Sequence, residues 1–101
     1  MEALLHLVPR ADWESAGDPY APASLATEGF VHLCTPAQAA GVARRFFAGR
    51  DDLLVLVLDP ARLPPLRWED SYGHGLFPHA CGPIPRAAVA AVRPFQAGDL
   101  H

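Results

Sequence analysis

Residues 29–38 read GFVHLCTPAQ, and this stretch decides the fold because it turns a strand into a helix within one short passage. Thr35, Pro36 and Gln38 stand at the N-cap, first and third helical positions of a capping box, where the N-cap residue and the side chain three residues on satisfy each other's free backbone N–H groups. Beyond them Ala39, Val42, Ala43 and Phe46 recur at the spacing of a core-facing helical stripe, and Gly49 is placed to end the helix. Before them, residues 29–34 form a strand in which His32 sits between Val31 and Leu33. A strand of this composition buries apolar side chains, so an imidazole there is either a bonded core residue or part of a site.

Upstream, ALLHLV at 3–8 predicts a first strand that Pro9 ends, with Leu4, His6 and Val8 on one face and Leu5 and Leu7 on the other. His6 is thus a second histidine inside an apolar strand. RADWESAG follows as a short helix anchored by Trp13 and closed by Gly17, and a loop through Tyr20 and Ser24 leads to the strand at 29–34. Downstream, the run Leu53 to Leu58 is apolar on both faces and therefore central to a sheet. LRWE at 66–69 alternates Leu66 and Trp68 against Arg67 and Glu69, and a flexible connection holds Gly73, His74 and Gly75. FPHAC at 77–81 reads as a Pro-containing edge strand and AAVAAVRPF at 87–95 as the last strand. Few helices and many short strands give an α+β class. Leu5, Leu7, Phe30, Val42, Phe46, Val55, Val57, Trp68 and Val92 are expected in one core.

A chain of 101 residues, 50% apolar, supports one domain over 1–101, with its core in 3–95 and a flexible tail at 96–101. Net charge is −3 and all eight basic residues are arginines, only Arg44 and Arg45 being adjacent, so no basic stripe exists for a nucleic acid. The longest aliphatic run falls far short of the roughly 20 residues of a membrane span. MEALLHLVPRADWE begins with an acid and breaks at Pro9, unlike a signal peptide, so a cytoplasmic location is expected. Cys34 and Cys81 lack CxxC spacing and are expected to be free thiols.

His32 lies three residues before the helix start, whose free N–H groups, with Thr35 at the cap, suit phosphate or carboxylate oxygens. Taken singly, His6 and His32 are each more readily satisfied core histidines; together with His79, three strand histidines are jointly satisfied by one shared pocket. His32-Leu33-Cys34 and His79-Ala80-Cys81 also place nitrogen and sulfur on one strand face each, but the spacing is wrong for a zinc knuckle, and no metal is expected. Cys34 near a helix N-terminus is a possible thiol nucleophile, or simply a small buried hydrophobe. Glu69 beside Trp68 suits a general base or an acceptor for a ribose hydroxyl, and equally a surface partner for Arg67. Phe46, Trp68 and Phe77 could stack a planar ring, though aromatics so placed are more often core; Arg45 could meet an anion or be solvated surface.

The order of a histidine-bearing strand followed by ADW, then SLATEGFVHLCT, VARRFFAG, LLVLVLD, LRWED, LFPHACG and AVRPF, resembles the bacterial domain-of-unknown-function 952 family over residues 3–95. The resemblance implies an ADP-ribosyltransferase-like fold, a minimal split β-barrel of two small sheets with two short helices that grips NAD between the sheets. It implies that His6 holds the nicotinamide-side ribose and that His32 packs against nicotinamide. The third site position falls to Glu69 or His79, with the FPH strand favouring His79. Where the family tends to have HCST and FPHIYG, this chain has HLCT and FPHACG, which makes both cysteines incidental. The implied function is a small NAD- or nucleotide-binding protein, acting in ADP-ribosyl transfer or NAD glycohydrolysis, with NAD as substrate or ligand. The alternative is an inactive small-ligand sensor or protein-interaction domain, favoured if no carboxylate reaches the pocket. Cleavage at the ribose passes through an oxocarbenium-like state that a carboxylate stabilises.

Overall fold

The run LLVLVL forms strand β3 (Leu53–Leu58), buried throughout except for the half-buried Val57, as a strand covered on both faces requires. It lies antiparallel between β1 (Leu4–Pro9) and β6 (Val89–Pro94), with Leu5 opposite Val57 and Leu56 opposite Val92. A second antiparallel sheet has β5 (Leu76–Ala80) at its centre, flanked by the two-residue β2 (Val31–His32) and by β4 (Leu66–Asp70). Three α-helices complete the chain, α1 (Arg10–Glu14), α2 (Ala23–Glu28) and α3 (Pro36–Phe46), with 3-10 turns at Pro60–Arg62 and Arg86–Ala88. The computed structural model describes residues 2–70 and 73–95; the tail expected at 96–101 lies outside them. The class is α+β, with two three-stranded sheets that do not close into a barrel and one α-helix more than expected.

Alternation along β1 and β3 sends side chains to two separate clusters. Leu4, Val8, Leu54, Leu56 and Leu58 meet Val31, Leu33, Ala80, Ile84 and Ala88 between the sheets, with Trp13 and Tyr20. Leu5, Leu7, Leu53 and Val55 face the other way, onto Ala39 and Ala43 of α3 and onto Phe77. Several core expectations are corrected here. Phe46, Trp68 and Val92 are 53%, 50% and 44% exposed, while Phe30, Val42 and Val57 are only half-buried. Small Ala39 and Ala43 bring α3 close to the sheet, and the row they begin continues at Phe47, which packs where Phe46 was expected. Val92 lies on an edge strand, and Trp68 sits toward the far end of β4, beyond Leu66. Helix α2 replaces an expected loop; Pro22 precedes its first residue and Gly29 ends it at φ 86°.

The FPHAC strand is central rather than an edge, and the ladder shows how it tolerates Pro78. Cys81 N–H donates to Pro65 O at 2.8 Å, so 67/79 and 69/77 are the hydrogen-bonded pairs with β4, and Trp68/Pro78 falls between them. Toward β2, Leu33 N–H donates to Pro78 O at 3.1 Å, but Pro78 has no N–H to return. Pairing with β5 ends there. At the next residue, Cys34 exchanges both backbone bonds with Leu5 of β1, at 2.7 and 2.8 Å. The strand expected over 29–34 therefore splits: Val31 and His32 belong to one sheet and Cys34 reaches the other.

Candidate functional site

His32 sits at that split. It forms a non-hydrogen-bonded pair with His79 of β5, which directs its own carbonyl toward β1, where His6 takes it. His6 Nδ1 lies 2.6 Å from His32 O, and since a carbonyl only accepts, Nδ1 carries the hydrogen. His6 Nε2 is then an acceptor, and the Tyr20 hydroxyl donates to it at 2.8 Å. Both ring nitrogens of His6 are thus taken up inside the protein. Burial, opposed by the bond to His32 O, holds the imidazole neutral with a pKa of about 4. Burial, with Asp12 adding to it, pushes Tyr20 up to about 12, so it remains a donor.

A cavity of about 250 Å³ opens where the two sheets part. Leu7, Leu33, Cys34, Val42, Phe47 and Phe77 give it an apolar wall, and its polar groups come from His6, His32, Arg45 and His74. His32 Nε2 lies 2.9 Å from Glu28 Oε2 and donates to it, leaving Nδ1 without a partner among the described residues. His74 stands in a turn shaped by Asp70, whose carboxylate accepts from Gly73 N–H at 3.1 Å and Gly75 N–H at 3.0 Å; both glycines have positive φ, 75° and 98°. No carboxylate is among the described residues lining the cavity. Cys34 is buried, and burial pushes its thiol up to about 12, which corrects the reading of it as a nucleophile.

His79 forms a second cluster beside the cavity. Register puts it on the same face of its sheet as His32, Phe77, Arg67 and Glu69. Its ring is 5.4 Å from that of His32, and Phe30 stacks on it at 3.9 Å and 8°. Nδ1 donates to Glu69 Oε1 at 3.0 Å, while Nε2 is buried without a partner among the described residues. His6 and His32 therefore share the expected cavity, with Phe46 and Phe77 beside them, whereas His79, stacked on Phe30, and its partner Glu69 do not line it. Thr35 and Trp68 do not line it either, since the C-terminal half of α3, rather than its capped start, flanks the opening. The two His-Cys pairs do not converge: Cys34 is buried beside α3 and Cys81 is exposed, both as free thiols. Sequence reasoning missed Tyr20 and Glu28: Tyr20 meets His6 across 14 residues, and Glu28, only four residues before His32, reaches it across the end of α2 rather than along one regular element, whose period would have paired them.

These features define a two-sheet α+β domain with a histidine-lined cavity where the sheets part. The chain belongs to the family of proteins of unknown function DUF952, which matches residues 7–92. Among solved structures it is similar to CC0527 from Caulobacter crescentus, whose crystal structure is 27% identical over 97% of both chains with a TM-score of 0.80. The solution NMR structure of CC0527 is 28% identical over 95% of this chain and 86% of that one, with a TM-score of 0.76. No curated protein matches. Among the described residues, no helix is long and apolar enough to cross a membrane.

Proposed function

We propose that this protein binds a nucleotide of the NAD type in the cavity between its sheets and does so without breaking it. The carrying observation is the lining: a ring-sized apolar pocket, His32 Nδ1 and the His74 ring to meet a ligand, and no carboxylate among the described lining residues to stabilise a developing cation. Two three-stranded sheets that part at a histidine support the ADP-ribosyltransferase-like reading of the fold. His32 Nδ1 would accept from a carboxamide or ribose hydroxyl; His6, both nitrogens occupied, would hold His32 and Tyr20 in place. At about 250 Å³ the cavity is smaller than the roughly 300–1,000 Å³ of sites that enclose drug-sized ligands, so it would hold a ring and its sugar and leave the rest of a dinucleotide outside.

The test is a thermal-shift and calorimetric screen with NAD, ADP-ribose, nicotinamide mononucleotide and nicotinamide. A ligand at ~100 times its Kd stabilises the native state by about 2.7 kcal/mol. At least one should bind, His32→Gln should fold normally and lose the response, and NAD should be recovered intact. If none binds at millimolar concentration, the reading fails. A second reading, cleavage at the nicotinamide ribose, is favoured by the Glu69–His79 pair on the cavity's own sheet face. It needs the Glu69–His79 pair, which does not line the cavity, to reach the bound ribose, and release of nicotinamide from NAD, abolished by Glu69→Gln, would establish it.

A further inference from the structure

We infer that the ligand of this cavity carries a 5′-phosphate, as a monoester or as the first phosphate of a dinucleotide, and that Arg45, packed over Gly41, receives it; this rests on the nucleotide reading above. The described lining residues carry three histidines, one arginine and the buried Cys34 thiol but no carboxylate, Glu28 being bonded to His32 from outside the lining, so the permanent charge among the lining side chains is positive. Arg45 carries that charge. Like Arg44, Arg67 and Arg93 it has no ion-pair partner among the described residues, whereas Arg10, Arg50 and Arg62 each face a carboxylate and Arg86 is bonded to the carbonyls of Trp13, Ala16 and Gly17; of the unpaired four, Arg45 is the one that lines the cavity.

The sequence of α3 also makes room for it. Gly41 stands inside the helix, where glycine is less favourable than alanine, and the three atoms nearest the side where its Cβ would be all belong to Arg45. The Arg45 guanidinium lies against that side: a Cβ there would lie 3.1 Å from Nη1 and 3.6 Å from Cζ and Nη2, so alanine would push the guanidinium outward by a few tenths of an ångström. The side chain therefore lies back along its own helix, one turn toward the start, beside Val42 and at the cavity wall. Compensation of the carbonyls at the end of α3 would explain an arginine here, but Arg44 serves that equally and neither needs a glycine at 41. A ring on the apolar wall and a sugar at His32 place a 5′-phosphate at the mouth. Arg45 meets it with a fork of N–H donors, and His74 offers a further ring nitrogen.

The experiment compares matched pairs by calorimetry: nicotinamide riboside with nicotinamide mononucleotide, and adenosine with AMP. In the wild type the phosphorylated member of the pair that binds should be at least tenfold tighter. In Arg45→Gln that ratio should fall close to one. Arg44→Gln, which removes the same charge from the same helix away from the cavity, should keep the ratio, and Gly41→Ala should lower it without loss of thermal stability. An unchanged ratio in Arg45→Gln, or an equal drop in Arg44→Gln, overturns the assignment of Arg45, and an unchanged ratio in Gly41→Ala overturns the role of Gly41. Equal binding of nucleoside and nucleotide in the wild type overturns the phosphate while leaving the nucleotide cavity standing. If no nucleoside or nucleotide binds, both readings fall.

Discussion

His6 joins two parts of the chain with one ring, and its burial has a signature in pH. Its pKa is about 4 in the fold against an ordinary 6.5. The unfolded chain takes up the proton first, so this contribution is complete above pH 6.5, declines as pH falls toward 4, and changes no further below that. The full span is about 3 kcal/mol. Urea midpoints at pH 7 and pH 4.5 should differ more in the wild type than in His6→Gln; equal differences would mean that the imidazole is not held neutral. Tyr20→Phe strips the donor from His6 Nε2 and leaves a buried acceptor unmatched, at a cost of about 1–3 kcal/mol in urea unfolding at pH 7. The anomaly of His6 and His32 is legible in the sequence, because each interrupts an apolar alternation. Which nitrogen bonds to what is not, since Tyr20 meets His6 only through the fold and the four residues from Glu28 to His32 cross a helix end rather than a helical turn.

Among the elements, α3 shows a local signal that also acts at long range. Gln38 Oε1 accepts the Thr35 N–H at 3.0 Å, completing the capping box, and Gln38 Nε2 donates to Leu76 O at 2.7 Å. One amide therefore starts the helix and ties it to the first residue of β5. An acid near a helix N-terminus usually stabilises. Gln38→Glu should instead lower stability by about 1 kcal/mol, because it keeps the acceptor but sets a carboxylate against the Leu76 carbonyl. A higher melting temperature for Gln38→Glu would show that the tie to β5 carries no weight. The capping box and the apolar run of β3 are legible because their partners lie within a few residues or because burial on both faces leaves no polar position. The placement of β5 is not. Pro78 marks an edge in isolation, and only the register, with Trp68/Pro78 between hydrogen-bonded pairs, makes a central position tolerable.

At the scale of the whole molecule, β1 and β3 form a partition with a core on each side. Leu56 is fully buried between the sheets and Val55 is buried toward α3, so the two report on different clusters of one strand. Leu56→Ala should cost about 2–5 kcal/mol. If the partition couples the clusters, Leu56→Ala and Val55→Ala should each give a single unfolding transition by circular dichroism and by tryptophan fluorescence. Two transitions would mean that the clusters melt independently. The architecture also makes a clock of one small contact. Among the described residues, the strands of the two sheets share backbone bonds only where Leu5 meets Cys34. The amide hydrogens of these two residues are therefore natural reporters of how often the halves come apart. In deuterium exchange they should be replaced together, at one rate, and that rate should drop once a molecule is seated between the sheets.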